Sequence, residues 1–75
     1  MNKQSRKSVA IAIDTIRSVI NDLEYIRDDE QDKMDNMPEN LQMSERYEAM
    51  ETAVDALENA ITSLEDAVDS LEEIS

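Results

Sequence analysis

From Tyr47 onward, apolar residues recur at intervals that alternate three and four without a break. One core position holds Tyr47, Val54, Ile61 and Val68, and the other holds Met50, Leu57, Leu64 and Leu71. The segment reads as tandem heptads, ETAVDAL, ENAITSL and EDAVDSL, closed by EEIS. Such spacing keeps one stripe of a helix facing a partner helix, as in a coiled-coil seam. Its flanks differ. Glu51, Glu58, Glu65 and Glu72 line one side; Ala53, Ala60 and Ala67 line the other, with Ala49, Ala56, Ser63 and Ser70 beyond. The apolar arc is therefore wider than a two-stranded seam needs, and the small residues allow a further helix to approach closely.

The first half repeats the period. Val9, Ile13, Ile16, Ile20 and Leu23 step by four and three, flanked by Ala12, Val19 and Ile26. The stripe is then interrupted from Arg27 to Lys33 and resumes at Met34 and Met37. The pattern predicts one helix over about 4–35 and a second over about 45–74. The link, 36–44, carries Asn36 as a stop and Pro38, which disfavours helical geometry at the residue before it. A helical turn at 38–42 is compatible with proline at a first helical position. Ser44 suits the N-cap of the second helix, and Leu41 and Met43 are expected to plug the end of the core.

The sequence thus predicts an all-α chain of one domain, an antiparallel two-helix coiled-coil hairpin assembling into a four-helix or larger bundle. Folding it places Val9 near Leu71, Ile16 near Leu64, Leu23 near Leu57 and Met34 near Tyr47. The expected core is Val9, Ile13, Ile16, Ile20, Leu23, Tyr47, Met50, Val54, Leu57, Ile61, Leu64, Val68 and Leu71.

Size turns this pattern into a statement about assembly. A chain of 75 residues buries only about 60% of its unfolded surface and needs a staple. It has no cysteine and no histidine, which removes disulfides, thiolate sites and the commonest general base and metal ligand. Self-association is the staple left, with a homodimer as the default because two hairpins are the fewest that close a core. The chain reads as non-enzymatic, with no cofactor. No apolar run exceeds the five residues Val9 to Ile13, against about 20 for a membrane span. Lys3, Arg6 and Lys7 before that run faintly imitate a signal peptide, but Asp14 ends it too early. A cytoplasmic protein without membrane contact is expected.

Charge narrows the partners. The formal net charge is −12. Tyr47 to Ser75 holds nine carboxylates and no cation, whereas Met1 to Lys7 holds three cations and no acid. In an antiparallel hairpin those cations are expected beside Glu72 and Glu73, where they offset the negative end of the second helix. Direct binding to nucleic acid needs a basic patch and is disfavoured; a partner protein with a basic surface is the permitted class. The glutamate row also raises the idea of an acidic DNA mimic that blocks a DNA-binding protein. The cluster Asp28, Asp29, Glu30, Asp32 and Asp35 lacks the bent loop of a calcium site.

The polar interruption is the candidate site. Arg27 and Glu30 fall where the seam wants apolar residues, with Tyr25, Lys33, Arg46 and Tyr47 nearby. Such a layer fixes register or oligomer order. Alternatively, it forms a partner or small-ligand pocket between subunits, a nucleotide sponge being one version.

The segment Asp35-Asn36-Met37-Pro38-Glu39-Asn40-Leu41-Gln42-Met43-Ser44-Glu45-Arg46, followed by acidic heptads, resembles a group of small acidic helical proteins of unknown function encoded by bacteriophages and prophages. The resemblance spans roughly Leu23 to Ile74. It implies a bacterial or phage origin, hence a bacterial host cytoplasm, and makes an accessory protein that inhibits a host factor the expected role. It supplies no activity and no site residues.

Overall fold

The computed structural model describes residues 1–75 as two long helices packed in an extended hairpin, without strands. Helix α1 runs Lys3–Asp35 and helix α2 runs Glu45–Glu72, joined through a 3-10 turn at Glu39–Leu41. The molecule measures 59 × 14 × 12 Å.

Each boundary has a local cause. Asn2 caps α1, its side-chain oxygen accepting from the Ser5 N–H at 2.7 Å, so the helix starts one residue before the expected Gln4. At the other end the Asn36 N–H donates to the Asp32 carbonyl at 3.0 Å. Pro38 is extended, with φ −56° and ψ 145°, and the helix cannot continue through it. The link is tightly bonded. Met37 N–H reaches the Met34 carbonyl at 3.1 Å, Leu41 N–H the Pro38 carbonyl at 2.9 Å, and Ser44 N–H the Leu41 carbonyl at 3.1 Å. The Ser44 hydroxyl accepts from the Tyr47 N–H at 3.3 Å, as an N-cap does. Helix α2 stops at Glu72 rather than near Ile74. Its last turn carries no cation and ends in carboxylates, which the negative helix terminus disfavours.

The core follows the seam. Ile13, Ile20, Met34, Val54, Ile61 and Val68 are buried, and Val9, Ile16, Leu23, Leu64 and Leu71 pack partly buried against the central cluster. Tyr47, Met50 and Leu57 are also half-buried. Met34 joins the buried set beyond the polar interruption, so the seam closes again before the link. Two expectations are corrected. Leu41 and Met43 do not plug the core: they are 45% and 88% exposed, because the 3-10 turn spends the link on its own hydrogen bonds and points both outward. Nor do Lys3, Arg6 and Lys7 pair with Glu72 or Glu73; none makes an ion pair within 4 Å, and Arg17 bonds Glu72 instead, at 2.9 Å. The reason is stagger: the Arg17–Glu72 bond sets the last turn of α2 against the region of Arg17, so the first turns of α1, from Lys3, run past the end of α2.

No helix is long and apolar enough to cross a membrane.

Candidate functional site

The seam is rolled to one side. The row containing Ile13, Ile20, Val54, Ile61 and Val68 closes between the helices, while the row containing Val9, Ile16, Leu23, Leu57, Leu64 and Leu71 stays half-covered. The Arg17–Glu72 bond fixes which flanks of the two helices share a side. Arg17 lies on the glutamate side of α2. Ala12, Val19 and Ile26, on the opposite flank of α1, therefore share a side with Ala53, Ala60 and Ala67. Val19 is 42% exposed and Ile26 49%; Ala12, Ala53 and Ala60 are exposed as well.

The two sides of α2 are chemically opposite. All nine carboxylates of α2, from Glu45 to Glu72, lie on the three rows on and behind the glutamate flank. The alanine flank and the row beyond it hold Ala49, Ala53, Ala56, Ala60, Ser63, Ala67 and Ser70, with no charge between Ala49 and Leu71. On α1 the same side holds Ala12, Val19 and Ile26, with Asp22 and the Lys33–Asp29 pair at its outer edge and Glu30 toward the link. This apolar side, with the half-covered leucine and isoleucine row at its centre, is the strongest candidate for an interaction surface.

One open groove lies on the charged side. Arg17, Asn21, Glu65, Asp66, Asp69 and Glu72 line its polar part, with Ile20 and Val68 at its floor. Its single cation, Arg17, is already bonded to Glu72, and three further carboxylates surround it. A phosphate or other anion would meet repulsion there. No group of three or more acidic side chains converges as metal ligands.

The six residues of the polar interruption are only partly gathered. Arg27, Glu30 and Tyr47 are half-buried along the seam. Arg27 bonds its neighbour Asp28 at 3.1 Å, and Lys33 bonds Asp29 at 3.2 Å, one helical turn back. Arg46 is exposed, and Tyr25, 77% exposed, lies on the outer face of α1 away from the seam. The single hairpin forms no cavity among them. The periodicity gives Arg17 no role, although between Val9 and Met34 it is the one cation on the row of α1 that faces the glutamates. That position was the available signal.

The chain matches no protein-family model, no curated protein and no solved structure.

Proposed function

We propose that the chain is a non-enzymatic, self-associating helical protein that acts through protein–protein contact in the bacterial host cytoplasm. The observation that carries this reading is the division of one hairpin into two faces. The apolar face, with its half-covered leucines and isoleucines, supports self-association; the carboxylate face is left to meet a partner with a basic surface. The lack of histidine and cysteine leaves acid–base and nucleophilic chemistry without its usual groups. The phage-like link supports a host protein as the target, with inhibition as the outcome.

A test has two arms. Light scattering over a range of concentration reports mass; a chain that stays monomeric and folded at tens of micromolar removes the self-associating part. Capture of host proteins is then compared between the chain and a variant with Glu51, Glu58, Glu65 and Glu72 all changed to glutamine. A target held by the chain and lost by that variant supports the acidic face as the binding surface, and a target held equally by both excludes it.

A second reading, an acidic mimic of DNA, rests on the same exposed rows of carboxylates. It predicts that the captured target is itself a DNA-binding protein and that duplex DNA competes for it. The nucleotide-sponge reading has less support, because the one groove of the hairpin is lined by carboxylates.

A further inference from the structure

We infer that the apolar face is covered by a second copy of the chain, packed so that α1 of each copy faces α2 of the other and both links lie at the same end. The inference rests on the self-association just proposed and adds its geometry.

Area comes first. The chain exposes 5625 Å², whereas a compact protein of 8.6 kDa exposes about 4,700 Å². The excess, roughly 900 Å², is close to the ~800 Å² per partner of a standard interface. The broad side of the hairpin, 59 × 14 Å, has a similar footprint. Its apolar centre, from Val9 to Ile26 on α1, is ~26 Å long at ~1.5 Å per residue. The polar ends would form the rim such interfaces have.

Charge and shape then choose the orientation. Two hairpins can meet face to face with links together or at opposite ends. With links at opposite ends, α2 lies against α2 and α1 against α1. With links together, each α2 lies against the partner's α1, and the two α2 helices sit diagonally. Helix α1 carries six cations against eight carboxylates, a net −2; α2 carries one against nine, a net −8. Setting α2 beside α2 would juxtapose the two most acidic surfaces of the assembly, whereas the diagonal arrangement separates them. Shape agrees. At the flank of this apolar side α1 presents Val19 and Ile26, while α2 presents Ala53, Ala56, Ala60 and Ala67. Large residues of one helix fit over small residues of the other only when α1 faces α2; the alternative stacks large on large and small on small.

The chain has no cysteine, so a single Glu39→Cys change in the exposed link gives one site for a spin label. Pulsed electron resonance then reads the distance between the two labels of a dimer. With interaxial spacings of about 8–10 Å, links at the same end put the labels less than ~30 Å apart. Links at opposite ends put them near the 59 Å length of the molecule. Two variants locate the face independently. Ala60→Glu buries an unpaired carboxylate and is expected to weaken the dimer by about a hundredfold or more. Asn59→Glu adds the same charge on the outer surface and should change it by no more than about twofold. A dimer with the short distance and dissociation in A60E alone upholds the inference. A dimer with the long distance, one indifferent to A60E, or an assembly larger than two overturns this arrangement and leaves self-association standing. A folded monomer overturns both.

Discussion

At Ser44 a single hydroxyl does two jobs. It donates to the Leu41 carbonyl at 2.6 Å, closing the link, and accepts from the Tyr47 N–H at 3.3 Å, opening α2. Ser44→Ala removes both, and loss of such a cap costs about 0.5–2 kcal/mol. In a domain of this size the melting midpoint should fall by roughly 4–8 °C per kcal/mol, followed by circular dichroism at 222 nm. One residue earlier stands Met43, which the pattern places at the core end and the structure leaves 88% exposed. Met43→Ser should accordingly shift stability by less than about 0.5 kcal/mol in the same melt; a loss as large as that of a buried methionine would return it to the core. Periodicity could not separate these cases. An apolar residue in a link reads as a plug unless the backbone bonds that aim it outward are known, and those bonds are non-local to the pattern. The cap at Ser44, by contrast, was legible because it depends on one residue type at one position.

Between the helices, legibility followed the source of each feature. The strict heptads of α2 identified its buried residues Val54, Ile61 and Val68, and the matching steps in α1 identified Ile13 and Ile20. The roll of the seam, which half-uncovers Leu23, Leu57 and Leu64, was not legible, since it comes from the packing of both helices together. The polar layer was legible as an interruption but not as an arrangement. Arg27 turns to Asp28 rather than across to α2, a contact between sequence neighbours that holds nothing between helices. That geometry gives a prediction. Changing Arg27 and Glu30 together to leucine extends the stripe from Leu23 to Met34 and should raise the melting midpoint, because half-buried charges are replaced by packed apolar surface. In the proposed assembly it should also loosen the oligomer order, since a polar layer in a seam penalises alternative registers and stoichiometries. Calorimetry reads the first effect and light scattering the second. A double variant that melts lower than the parent would mean that the layer stabilises the fold by itself.

The whole molecule is a thin acidic rod, and its dimensions decide how salt acts on it. Its Cα radius of gyration is 17.2 Å, against about 11 Å for a compact chain of the same length. Its width is 14 × 12 Å. At 0.01 M ionic strength the Debye length is about 30 Å, longer than that width, so carboxylates on both helices repel one another across the rod; at 1 M it is about 3 Å and they do not. Attraction offers little in return. Of three ion pairs, two join residues within α1 and one, Arg17–Glu72, joins the helices. Both side chains of that pair are about half exposed, a setting in which such pairs contribute only about 0.2–1 kcal/mol. With a net charge of −12, repulsion is the larger effect. The melting midpoint should therefore rise by several degrees as sodium chloride goes from about 0.01 to about 1 M. The proposed self-association predicts a second dependence, since a partner that binds only the folded chain raises the midpoint with protein concentration. The two separate in one grid of melts over salt and concentration. A rise with salt at fixed concentration reports repulsion within and between hairpins, and a rise with concentration at fixed salt reports assembly. Salt should also steepen the gain with concentration, because screening favours bringing two acidic rods together. A midpoint that fell with salt would show that the cations of α1 hold the assembly through attraction, with Lys3, Arg6 and Lys7 as the first residues to neutralise.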